Sequence, residues 1–245
     1  MEDRNANYHG KSIKRPIRDL TPFPEDIFIP AQASLENYLL PLISIDLGLL
    51  RSDLQGTTVH ILNPVEPYEG FIGEETAEFH NAFCGENWLT LELTKDNKYQ
   101  FLGDEGYFLS APVHNHKDKI DELLLEHIKE VKDTYRKVKS GYKSKGQLLP
   151  WQADNPQDFI DRLGGEIHYG NWTDSALPPP AFDMFFHETA GENLPSDGIS
   201  ISYKGNHFFL VAEVAGYHYC GHGADAILTF YEPESRTVLF TYDWR

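Results

Sequence analysis

The sequence predicts an α+β fold, an antiparallel sheet with one long amphipathic helix and short helices packed on it. Three observations point there. An apolar stripe of helical period runs from Ile120 to Tyr142. Short alternating segments separated by turn residues fill the centre and the C-terminal third. The chain of 245 residues is 40% hydrophobic and 13% aromatic, too apolar for a disordered acidic chain. That length suits one large domain or two small ones. The reading is an N-terminal arm over residues 1–30, polar and punctuated by Pro16, Pro22, Pro24 and Pro30, followed by a single α+β domain over residues 31–245. Phe23, Ile27 and Phe28 are the arm's means of packing.

Along the domain, Ser34 is placed to cap a short helix through Leu40, which Pro41 limits. Thr57 to Leu62 reads as a strand, ended by Asn63-Pro64. The stretch from Glu69 to Asn87 reads as a loop with a short helix that sets Phe79 and Phe83 on one face. Leu89, Leu91 and Leu93 alternate with Thr90 and Glu92, a half-buried strand. A turn at Lys95–Lys98 leads to a partner strand at Tyr99 and Phe101, and a second turn at Gly103–Gly106 to a third at Tyr107–Leu109, which gives a meander.

The long helix starts at Asn115 as N-cap, with Asp118 in its first turn. Ile120, Leu124, Ile128, Val131, Tyr135, Val138 and Tyr142 form its buried stripe, and Gly141 stops it. Asn155-Pro156 opens a further short helix that ends at Gly164-Gly165. The rest is strand. Ile199, Ile201 and Tyr203 lead to a tight turn at Gly205-Asn206, and the stretch from His207 to Val214 is apolar enough for a central strand. Ala226–Phe230 and Val238–Trp244 flank an acidic turn and close the sheet.

The net charge is −17 at pH 7. The basic residues cluster: residues 1–18 carry five against two acidic, and residues 117–145 nine against six. Elsewhere 7 Lys and Arg stand against 30 Asp and Glu, a net of −23. Such a field opposes direct binding of nucleic acid or an anionic membrane and draws cationic partners. The densest carboxylates in an expected loop are Glu66, Glu69, Glu74, Glu75 and Glu78, which are assigned as partner-binding residues. Glu74, Glu75 and Glu78 with His80 offer alternative chemistry as acid–base groups or divalent-cation ligands.

His218, Cys220 and His222 at i, i+2, i+4 would share one face of a strand, and with Asp225 they form a ligand set of the zinc type. Gly221 and Gly223 break such a strand, so no metal and no cofactor are expected, and no catalytic residue is assigned. His187-Glu188 lacks the second histidine of a helical zinc-protease motif. No nucleophile elbow and no phosphate-cradling glycine loop is present. Cys84 and Cys220 are too few for a secreted disulfide scaffold. Residues 1–7 lack the apolar core of a secretory signal, and the apolar run from Tyr38 to Leu50 is too short to span a bilayer. The expectation is a cytoplasmic protein with free thiols.

The stretch from Phe208 to Trp244, FFLVAEVAGYHYCGHGADAILTFYEPESRTVLFTYDW, has a strand ending in a Gly-Tyr step, a Gly-Ala-Asp loop, an acidic-Pro turn and a final aromatic-Asp-Trp strand. It resembles small acidic bacterial proteins, and the chain's style is similar to immunity proteins of interbacterial toxin systems. The resemblance implies a protein that binds a cognate toxin. The acidic charge then makes a toxin with a basic surface the expected target, a nuclease above all, whose active-site cleft the chain would occlude. It brings no catalytic residues with it. The competing expectations are a metal-dependent hydrolase built on the His218 region or the acidic cluster, and an acidic scaffold or regulatory protein.

Overall fold

The computed structural model describes residues 8–114, 122–150, 155–187 and 198–244. The fold combines helices with antiparallel sheets. Thirteen strands are described: β1 (Lys11–Ile13), β2 (Leu20–Pro22), β3 (Leu39–Asp46), β4 (Thr58–Pro64), β5 (Trp88–Leu93), β6 (Tyr99–Phe101), β7 (Ile160–Leu163), β8 (Phe182–His187), β9 (Gly198–Tyr203), β10 (Asn206–His207), β11 (Phe209–Val214), β12 (Ala226–Glu232) and β13 (Thr237–Asp243). The α-helices are α1 (Glu122–Lys145), α2 (Asn171–Ser175) and α3 (Tyr217–Cys220). A seven-stranded central sheet runs β1-β7-β11-β12-β13-β5-β6. Two three-stranded sheets, β2-β3-β4 and β10-β9-β8, complete the set.

The central sheet has a core on each face, and side-chain alternation sorts residues between them. From β13, Val238, Phe240 and Tyr242 join one cluster with Ile43, Ile45, Val59 and Ile61 of the β2-β3-β4 sheet. Leu239 joins the other, with Ile199, Ile201 and Phe208 of the β8–β10 region and Trp172 of α2. From β12, Ile227 and Tyr231 take the first face and Leu228 and Phe230 the second. This double coverage is why β5 is not half-buried as its pattern predicts. Trp88 and Thr90, on the supposed polar face, are as buried as Leu89 and Leu91. Strand β13 does not close the sheet, because it lies between β12 and β5.

Residues 8–30 are not an arm. Their β1 pairs with β7, their β2 with β3, and Ile13, Leu20, Phe23, Ile27 and Phe28 are buried. The expected helix from Ser34 to Leu40 is a 3-10 turn at Pro30–Asn37, after which Leu40 and Pro41 enter β3. Pro41 sits at a register irregularity, where the N–H it lacks is not missed, and its carbonyl accepts a hydrogen bond from the Tyr135 hydroxyl at 2.5 Å. The expected helix after Pro156 is β7, where pairing with β1 on one side and β11 on the other overrides the local capping signal. The third strand of the meander is a 3-10 turn at Glu105–Tyr107. Phe79 and Phe83 do not pair. The first packs edge-on to His114 and the second to Phe182.

Helix α1 buries Leu124, Val131, Tyr135 and Val138, with Ile128 and Tyr142 at the margin of the core. Its expected start at Asn115, with Asp118 and Ile120, lies outside the described residues. The helix runs past Gly141 to Lys145, and Gly146 follows with φ +67°. Tyr135 meets Phe23 at 5.3 Å between ring centroids, and Lys139 pairs with Glu25 at 2.9 Å. The turn between β9 and β10 is Lys204-Gly205, one residue earlier than its sequence signal, with positive φ at both positions. At Phe208 the chain leaves one sheet for the other, so the expected single strand is split into β10 and β11. Among the described residues no helix is long and apolar enough to cross a membrane.

Candidate functional site

The acidic segment that follows β4 folds over a cleft of about 360 Å³. The cleft is lined by Glu66, Glu69, Glu74 and Glu75, by Tyr68, Phe71 and Ile72 from the same segment, and by Leu124 of α1. Three anchors shape this wall. Tyr107 reaches it with its hydroxyl, which donates to the Gly85 carbonyl at 2.9 Å and lies 3.3 Å from that of Ile72. Thr76 donates to the Tyr107 carbonyl at 2.8 Å. His80 Nε2 donates to the Gly73 carbonyl at 2.8 Å. Gly73 itself has φ +81°, and a Cβ there would meet the Tyr107 ring at 2.5 Å, so both the backbone and the close approach require glycine.

The five predicted partner-binding carboxylates divide. Glu66 is 3% exposed, and this corrects its assignment as a partner contact. Its carboxylate accepts from Leu109 N at 2.5 Å, and from Ser110 N at 3.0 Å and Ser110 Oγ at 2.6 Å, which ties the end of β4 to the 108–110 segment. Burial pushes its carboxyl above the ordinary range, against the pull of these three donors and of His114. Glu69, Glu74 and Glu75 are exposed at the rim. Glu74 also accepts from Phe71 N at 2.9 Å, closing the turn from Phe71 to Glu74. Glu78 is exposed but lies outside the cleft lining.

Sequence reasoning missed the apolar half of the site. Tyr68, 49% exposed, sits between the acidic rim and α1, and its ring meets His127 edge-on at 5.5 Å. His127 in turn meets His222 at 5.4 Å, and His222 Nε2 lies 3.6 Å from Glu130. Burial lowers the His127 pKa, and His222 lowers it further. Tyr68 was visible in the acidic stretch itself. Leu124 was visible only as a member of the helical stripe, and nothing in its spacing pointed to a cleft.

The His218, Cys220 and His222 set does not converge. Residues 217–220 form α3 rather than a strand, and on a helix positions two apart diverge. His218 is buried, its Nδ1 3.1 Å from the Asp158 carbonyl and 3.8 Å from Asp161. Cys220 is fully buried, which pushes its thiol pKa up. His222 points to α1. Among the described residues no group of three or more His, Cys, Asp or Glu side chains is placed to hold a metal ion.

No family model, no curated protein and no solved structure matches this chain. A cleft with exposed carboxylates on its rim and apolar side chains in its wall suits a cationic side chain with an aliphatic stem, whose charge faces the rim while its methylenes lie on Tyr68, Phe71 and Leu124.

Proposed function

We propose that this chain is a cytoplasmic binding protein of the immunity type, which neutralises a cognate bacterial toxin by covering the toxin's basic cleft. The observation that carries the reading is the grouping of exposed Glu69, Glu74 and Glu75 with exposed Tyr68 around one cleft, in a chain of net charge −17. Rim carboxylates steer a basic partner and raise its encounter rate. A half-exposed tyrosine is a typical anchor once contact is made. A nuclease is the natural target, because a cleft that holds phosphates is positive. The long helix adjoins the same surface, since its Leu124 lines the cleft and its His127 meets the Tyr68 ring.

Co-expression with the product of the adjacent gene tests the reading, followed by binding kinetics across a salt series. Protection of the cell and a salt-sensitive association rate are expected. A neighbour that is not toxic, or that the purified chain does not bind, would overturn it.

A further inference from the structure

Most sheet edges here are short or covered, as edges must be to avoid pairing with other chains. β1, β2 and β6 have three residues each, β10 has two, and β2 ends in Pro22. β4 is longer but buried. β8 is different. Its six residues pair with β9 without a register irregularity, and among the described residues no strand lies on its outer side. It contains no lysine and no proline. Phe185 is 56% exposed and Phe186 44% exposed, the latter stacked on Tyr169 at 5.3 Å.

We propose that β8 pairs with β8 of a second copy of this chain, antiparallel, about a two-fold axis at Phe185. The occupant follows from the strand's own sequence, Phe182-Asp183-Met184-Phe185-Phe186-His187, which is self-complementary about that residue. In this register Phe185 faces Phe185 of the second copy, Met184 faces Phe186, and Asp183 faces His187. Each dimer thus holds two pairings of a carboxylate with an imidazole, polar side chains set opposite each other on neighbouring strands. A slip of one residue in either direction sets an ionisable side chain against an apolar one and loses both pairs. His187 Nε2 already lies 2.8 Å from Ser200 Oγ on β9, which fixes the ring on the solvent face of the sheet. The contact is isologous and closed, and it joins two three-stranded sheets into one of six strands.

Each copy carries −17, so self-association works against repulsion and added salt strengthens it. That sign is opposite to the one expected for encounter with a basic partner, so the two readings fail separately. Sedimentation equilibrium of the full chain over a range of protein and salt concentrations is the test. A monomer–dimer equilibrium that shifts to dimer with salt is expected. Phe185→Lys should weaken the dimer by about tenfold or more, as loss of a central aromatic anchor does. Asp183→Lys should weaken it as well, and Asp183→Lys with His187→Asp should restore it. Phe185 and Asp183 are exposed, so at concentrations where the parent is monomeric the thermal melts of these variants should match it. Should Phe185→Lys fail to fold, the charge-exchange pair carries the test. A monomer at every concentration in high salt, a dimer indifferent to Phe185→Lys, or a charge exchange that does not restore pairing would each overturn the proposal.

Discussion

His60 Nε2 donates a hydrogen bond of 2.7 Å to the backbone carbonyl of Asn97, on the turn between β5 and β6. A carbonyl only accepts, so Nε2 carries the proton, and Nδ1 is left to accept from Ser44 Oγ at 2.6 Å. The Asn97 side chain completes the junction with Thr58 N and the Gly56 carbonyl. One neutral imidazole thus joins the β2-β3-β4 sheet to the hairpin at the edge of the central sheet.

That junction predicts acid sensitivity. Burial lowers the His60 pKa from 6.5 to about 4, against the pull of the Asn97 carbonyl. As pH falls below 6.5 the unfolded chain takes up a proton that the folded chain refuses, so stability is lost down to about 4 and constant above 6.5. The loss from this group is about 3 kcal/mol. Denaturant unfolding between pH 7 and pH 4 measures it, and His60→Gln, which keeps a donor but does not titrate, should flatten that part of the profile.

Glu66 acts with the opposite sign. Its carboxyl is raised in the fold, so its contribution improves as pH falls through its folded pKa and declines as pH rises. Glu66→Ala should still destabilise at neutral pH by about 1–3 kcal/mol, because Leu109 N and Ser110 N lose their acceptor in a buried site. A melting temperature equal to the parent's would show that water replaces the carboxylate there.

Elements set by local chemistry were legible in the sequence, and those set by partners were not. The turn at Asn97, the stripe of α1 and the alternation in β12 and β13 follow from φ preference and period alone. Asn155-Pro156 is a good helix start, so the sequence predicts a helix where β7 forms, and only its two neighbouring strands decide otherwise. Glu66 and Glu69 look alike in sequence. They part company because the backbone donors that bury Glu66 come from residues more than forty positions away. The same ambiguity governs Cys220 and His218, whose ligand-like spacing holds only on a strand.

Both cysteines should be inert in the folded protein. Cys84 and Cys220 are free and fully buried, and burial pushes the Cys84 thiol up to about 12. The thiolate is the reactive form. A thiol reagent should therefore label neither at neutral pH until denaturant is added. Fast labelling of one thiol in the native state would show that its segment opens readily.

Helix α1 offers an internal contrast. Leu124 is 5% exposed, whereas Leu123 and Leu125 on either side are each 55% exposed. Leu124→Ala should cost about 2 kcal/mol, the low end for a buried leucine, because the cleft lets water or neighbours fill part of the gap. Leu123→Ala and Leu125→Ala should stay within about 0.5 kcal/mol of the parent. Chemical denaturation of the three variants settles the order, and equal costs would mean that α1 turns a different face to the cleft.

The acidic rim makes the last prediction. Glu69, Glu75 and Glu78 are exposed, whereas Glu66 holds the fold and Glu74 holds the Phe71 amide. Reversing the first three to lysine therefore alters the field without removing either of those supports. Association of the parent with a basic partner should be fast at low salt and slow markedly as screening shortens to about 8 Å near 0.15 M. The triple variant should associate more slowly and show a shallower salt dependence, since it has lost the charges that salt would screen. Dissociation should change less, because Tyr68 and the apolar wall hold the complex at short range. Tyr68→Ala should show the converse, with association nearly unchanged and dissociation faster. Stopped-flow kinetics for both variants across a salt series separates steering from anchoring. An unchanged association rate in the triple variant would remove this rim from the interface, and an unchanged dissociation rate in Tyr68→Ala would remove the cleft.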